Sequence, residues 1–224
     1  MEVMTVNKIN NGYFNNNNIT VLYGHESDLP IIINNYYDLN YDNKMKVKTF
    51  INNEIDSLKA LNLDYDILNK KLSELSFGEL KLILLIKAVI SNPGIIILNN
   101  FEKGFSPKYY NLIWHFIKNI TLSEDIKFLI VSTDLKFINK ITKKIIIIKN
   151  KIIKYQGDLI TALKQNLIEL PEIIKFINSA NNKGAKLTYT LDNKELLKDI
   201  YRSLKWNIWP VLNMMVVNFM VFKD

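Results

Sequence analysis

The stretch LSFGELKLILLIKAVISNPGIIILNN, residues 75–100, holds two structural periods back to back. It opens on a polar, glycine-containing turn, runs through an apolar helix, stops at Ser-Asn-Pro-Gly and resumes as GIIIL, a fully apolar strand. Ser76 with Glu79 three residues on reads as a capping box, the serine hydroxyl and the glutamate each taking a backbone N–H of the other. The Asn-Pro-Gly that follows is a helix stop. Helix N-termini carry bare N–H groups and suit phosphate, so the turn at Leu75 to Glu79 raises the question of a nucleotide.

Downstream of this stretch the pattern repeats. A polar loop leads to SPKYYNLIWHFIKNI, where Ser106 reads as an N-cap and Pro107 as the first helical residue. KFLIV, residues 127–131, is the next strand, and STD caps the helix after it. KIIIIKNKIIKY reads as two strands about a tight Lys149-Asn150 turn. Upstream, ITVLY at residues 19–23 is a buried-strand run ending at Gly24, and EVMTVNKI alternates as a strand. The segment HESDLPIIINNYYDLNYDN has no clean period, and residues 48–70 read as helical with a break at 62–66. Continuous β-branched runs separated by helices predict a mainly parallel sheet covered on both faces. The core is α/β.

Residues 1–168 are expected to form this core, with a helical part at about 45–92, and residues 169–224 a small α+β extension. The extension would hold a helix over 171–179, a linker ANNKG, a strand KLTYTL and a helix from about 193 to 204. Its tail, WNIWPVLNMMVVNFMVF at 206–222, is about the minimum length of a membrane span. Pro210 and three asparagines favour a buried strand or docking segment instead.

Composition narrows the function. Nearly half of the 224 residues are apolar (48%), enough for a buried core. Cysteine is absent, which excludes disulfides and thiolate metal sites. Two histidines, His25 and His115, do not make a zinc centre, so no metal site of this chain's own is expected. The charge of +7 is spread along the chain without a basic block interleaved with aromatics, which argues against nucleic acid. A mild positive charge suits work beside an anionic membrane. No cationic leader opens the chain, so a cytoplasmic place is expected.

In order, these pieces resemble the nucleotide-binding subunit of an ABC transporter, over residues 19–163. ELSFGE stands where that family has its LSGGQ signature, and NPGIIILNNFEKGFSP where it has an apolar strand and DEPTxGLDP. FLIVSTD stands for a strand ending THD, and KIIIIKNKIIKYQGD for a hairpin ending Gly-Asp. The resemblance implies a P-loop NTPase-like fold.

Residue by residue, the family's chemistry is nearly all replaced. A phosphate loop needs glycines, a lysine on the phosphates and a hydroxyl on Mg²⁺. GHESDLPII keeps Gly24, puts Pro30 at the lysine position and Ile31 at the hydroxyl position. Proline supplies neither a cation nor an N–H. The metal-binding aspartate position is Asn99, and the position of the carboxylate that polarises water is Asn100. Losing a positioned base typically costs about 10²- to 10⁴-fold. The switch-histidine position is Thr133, and the D-loop aspartate position is Ser106. Glu102 lies two positions past Asn100, on a path that carries it away from the strand tip. The stretches before Gly24 and between Gly24 and Leu75 are short for the family; Tyr13 stands where an adenine-stacking aromatic would, and no glutamine loop is recognisable. No Gly-Lys-Ser or Gly-Lys-Thr exists elsewhere to serve as a phosphate loop.

The signature turn is the exception. Ser76 and Gly78 are kept, with Phe77 for a glycine and Glu79 for the glutamine. In the family this turn grips the nucleotide of the opposing subunit. Two readings stand open: the turn serves a partner's ATP, or it only caps a helix. The first implies an ABC-type subunit that does not hydrolyse ATP by itself, paired with a competent ATPase subunit and a membrane permease at the inner face of the membrane. ATP and Mg²⁺ would then be shared at the partner's site, and none bound by this chain alone. The second implies a structural or regulatory scaffold on an ABC core.

Overall fold

The computed structural model describes residues 18–28, 41–92 and 94–204. Pro30, Ile31, Tyr13, residues 2–9 and the tail 206–222 lie outside them. The chain divides between Gln156 and Gly157 into two compact units.

The first unit is built on five strands: β1 Ile19–Tyr23, β2 Ile95–Asn99, β3 Lys127–Ser132, β4 Lys144–Lys149 and β5 Ile152–Asp158, in the order β2-β3-β1-β4-β5. β1 runs parallel to both β3 and β4, and β2 parallel to β3. β5 returns from β4 through Asn150 and Lys151, both at positive φ (53° and 64°), the backbone of a two-residue antiparallel hairpin. The reversal therefore falls one residue later than the sequence reading placed it, because asparagine and lysine share the left-handed conformation. The centre of β4, Ile145 to Ile148, is buried throughout, as are Phe128 to Val131 of β3. Strands covered on both faces need no polar alternation.

Helices α1 Val47–Phe50, α2 Ile55–Ala60 and α3 Phe77–Ser91 lie between β1 and β2. The helical pattern at 48–70 breaks at two places rather than one. Asn52 and Asn53 adopt positive φ (53° and 62°) and end the first piece, and Asn62 (51°) ends the second. Asparagine tolerates that region better than other side chains. α3 is buried from Lys81 through Ile86 and again at Ala88, so it is a central helix rather than a surface one. It ends at Asn92 in the left-handed conformation (φ 40°), as the stop signal predicts.

α4 Lys108–Ser123 joins β2 to β3, and α5 Leu135–Ile141 joins β3 to β4. The N-cap of α4 is Pro107, and Ser106 contributes its carbonyl, which accepts from Tyr109 N at 2.9 Å. The serine reading is corrected by one residue, since Pro107 already has helical backbone angles (φ −55°, ψ −21°) but precedes the first full turn. α5 is capped as expected: Asp134 accepts from Lys136 N (2.8 Å) and Phe137 N (3.0 Å).

In the second unit, α6 Leu159–Lys164, α7 Glu172–Asn182 and α8 Asn193–Leu204 surround buried Ile174, Ile177 and Leu196. The strand expected at KLTYTL does not form. Its backbone groups are taken by side chains instead: Asn181 brackets Leu187 through N (2.8 Å) and O (3.0 Å), and Asp199 accepts from Thr188 N at 2.9 Å. An alternating pattern with one buried face needs a strand partner, and here asparagine and aspartate supply the bonds locally.

Candidate functional site

The carboxyl ends of β1, β2 and β3 lie level with each other, Tyr23 opposite Ser132 and Asn99 opposite Val131. β3 and β2 extend the sheet on one side of β1, β4 and β5 on the other. In open parallel sheets ligands bind at this end, where the direction of extension reverses.

β1 delivers Gly24 to this edge, buried. A Cβ there would stand 2.9 Å from the Ile148 carbonyl oxygen, so the glycine is explained by the close approach of the β4 backbone. The chain then turns through 26–28 and is tied to the hairpin. Asp28 Oδ1 accepts from Asn150 N, and its carbonyl from Lys151 N, each at 2.9 Å.

β2 delivers Asn99 and Asn100. Asn99 is buried, and Asn100 Nδ2 donates to Asn99 Oδ1 at 2.9 Å. Two carboxylates here would repel and call for a cation; two amides satisfy donor with acceptor. Asn100 turns off the strand at φ 48° while its N–H donates to Val131 O (2.8 Å).

That turn redirects Glu102. The expected displacement from the strand tip is not what occurs: Glu102 is 3% exposed, and Ser132 Oγ donates to its Oε1 at 2.6 Å. The serine in turn accepts from Asp134 N (2.9 Å), and Tyr110 donates to Asp134 Oδ2 (2.7 Å). Glu102 Oε2 is buried without a hydrogen-bond partner among the described residues. Burial pushes the Glu102 carboxyl upward, opposed by the Ser132 bond and aided by the Asp134 charge. Burial, with the Asp134 carboxylate, also pushes the Tyr110 hydroxyl up. Thr133, which the resemblance sets at the switch-histidine position, is half-buried beside this network.

The signature turn is capped as its spacing predicts. Ser76 Oγ accepts from Glu79 N (3.3 Å), and Glu79 Oε2 accepts from Ser76 N (2.8 Å). These bonds hold the Glu79 carboxyl below the usual range. Ser76 and Phe77 are exposed, Phe77 by 66%. A buried lysine, Lys81, lies one turn below; nothing in a helical lysine's spacing marks it in advance.

His25 and His115 are both exposed. Among the described residues no group of three or more metal-ligating side chains is present. No described helix is long and apolar enough to cross a membrane.

No family model matches the chain. It is similar to the zinc import ATP-binding protein ZnuC of Ehrlichia canis (strain Jake), 28% identical over 129 residues, 58% of this chain and 51% of that protein. ZnuC of Ehrlichia ruminantium (strain Gardel) is 33% identical over 100 residues, 45% and 40% of the two. The energy-coupling factor transporter ATP-binding protein EcfA1 of Ureaplasma parvum serovar 3 is 27% identical over 146 residues, 62% and 49%. The chain spans about half the length of the curated relatives it matches. Over that part of its length, the chain is similar to ATP-binding subunits of ABC transporters.

Proposed function

We propose that this chain is a catalytically degenerate ABC-type subunit that works as the silent half of an ATPase pair. The observation that carries this reading is the Asn99–Asn100 amide pair. It occupies the end of β2, where the resemblance places a metal-binding carboxylate and a water-polarising one. An amide does not take a proton from water near neutral pH, and it brings no negative charge to Mg²⁺, which is usually held through carboxylates. Proline and isoleucine at the phosphate-loop positions support the same reading. The relatives' names point to a transporter, so the partners are a competent ATPase subunit and a membrane permease. The chain would sit against the inner face of the membrane.

In that pairing Ser76, Phe77, Gly78 and Glu79 face the nucleotide held by the partner, with Mg²⁺ bound on the partner's side. The Ser76 oxygen accepts the Glu79 N–H, which leaves its own O–H to serve as a donor for a phosphate oxygen. A second reading, a scaffold without a nucleotide role, is favoured by Glu79, whose negative charge closes the helix N-terminus against an anion.

The test is co-purification of the tagged chain from gently solubilised native membranes, followed by Ser76→Arg in the recovered complex. An intact ABC ATPase and a permease in near-equal amounts, with ATPase activity abolished by Ser76→Arg, support the silent half. Membrane proteins without a competent ATPase, or an activity that Ser76→Arg leaves unchanged, support the scaffold.

A further inference from the structure

The buried lysine of α3 joins two loops that the chain places 20 or more residues apart. Lys81 Nζ donates to Phe101 O at 2.6 Å and to Lys103 O at 2.8 Å. The same nitrogen stands 5.2 Å from the Phe77 ring centroid, 5.0 Å from that of Phe101 and 5.2 Å from that of Phe105. Three aromatic faces around a desolvated ammonium make it a cation–π cage. Phe77 belongs to the signature turn, and the other two rings belong to the loop after β2.

The backbone is cut to fit this arrangement. A Cβ at Gly104 (φ 90°) would come within 3.1 Å of the Phe77 ring, and one at Gly78 within 3.4 Å of Phe105. Each loop thus gives up a side chain where the other's phenylalanine lies. The residue between the two carbonyls held by Lys81 is Glu102, whose side chain leaves in another direction to meet Ser132 of β3.

We propose that Lys81 is a positioning residue that clamps the Ser76–Glu79 turn and the 101–105 loop into one element, so that a load on the exposed turn is carried to Glu102 at the ends of β2 and β3. The pinned Phe101 carbonyl fixes the peptide plane that leads into Glu102, and the pinned Lys103 carbonyl holds the loop one residue beyond it. Phe77, exposed on its outer side and resting on Gly104 on its inner side, is the part a binding partner reaches. The functional consequence rests on the reading of the turn as a docking element; the clamp itself does not.

Hydrogen exchange of the full chain tests it, with neither partner nor nucleotide. The amides to follow are those of Lys103 and Phe105, which donate to Asn100 O and Glu102 O. In Lys81→Met, which keeps the apolar stem, their exchange is expected to rise about tenfold or more while the β3 amides stay protected. Lys81→Arg, which keeps a cation, is expected to recover most of the protection; a role in packing alone would be met by methionine and not need the charge. Phe77→Leu changes an exposed ring and leaves the fold intact. It is expected to speed the same two amides by a few-fold, and to add nothing in the Lys81→Met background. Unchanged exchange at Lys103 and Phe105 in Lys81→Met overturns the clamp. If that variant does not fold, unchanged exchange in Phe77→Leu does so. A clamp that stands while Ser76→Arg leaves a partner's activity untouched refutes only the functional reading.

Discussion

Ser132 Oγ and Glu102 Oε1 lie 2.6 Å apart in a hydrogen bond that ties the loop after β2 to the last residue of β3. Both residues are buried, and the bond is the reason Glu102 returns to the sheet edge rather than leaving it. Burial, which the bond opposes, makes the carboxyl a pH-sensitive component of stability. Burial holds its folded-state pKa above the unfolded value, so the folded protein keeps the proton longer than the unfolded chain. The contribution is complete below the ordinary carboxylate range and is lost as pH rises through the folded pKa. Denaturation across acidic to neutral pH is expected to show Glu102→Gln flattening this fall, with a higher midpoint than the wild type at neutral pH.

Lys81 gives the opposite slope. Desolvation lowers its pKa from 10.5 to about 8, against the favourable Glu102 charge. Between those values the unfolded chain binds a proton that the folded one has released, so stability from this group rises with pH. The difference between wild type and Lys81→Met, followed by denaturation from neutral to alkaline pH, is expected to show that rise beginning near pH 8. The cage and carbonyls do not fully offset burial of the ammonium, which is what a residue kept for position costs.

Ser76→Ala removes the N-cap of α3. The expected loss is about 1 kcal/mol, with Ser76→Asp recovering most of it, read from urea denaturation. A capping residue is replaceable by another cap; a serine required by a partner's phosphate is not, so Ser76→Asp separates the two roles in the assembled complex.

Gly24→Ala places a methyl 2.9 Å from a backbone oxygen of β4. Overpacking against backbone is expected to cost about 1–3 kcal/mol, measured in the same way. Retention of this glycine therefore follows from packing of β1 on β4, whatever the loop beyond it binds.

The parts of the fold that could be read from the sequence are those set by local periodicity. The isoleucine runs of β2 and β4 and the Ser76–Glu79 spacing carry their structure within a few residues, and each is found where its pattern puts it. The misread parts depend on distant partners. KLTYTL alternates like a strand, but Asn181 and Asp199 take up its backbone groups. Glu102 looks remote from the sheet until Asn100 and Gly104, both at positive φ, reverse the loop. Lys81 has only Phe77, one helical turn back, as a local partner; the two carbonyls and the other two rings that hold it lie 20 or more residues on.

The most direct test of the central claim is titration of the purified full-length chain, alone, with labelled ATP and Mg²⁺. The proposed silent-half role, with Pro30 and Ile31 at the phosphate-loop positions that the resemblance gives and the Asn99–Asn100 pair, predicts no saturable binding up to millimolar nucleotide and no hydrolysis above background. Saturable binding with turnover by this chain alone would contradict it.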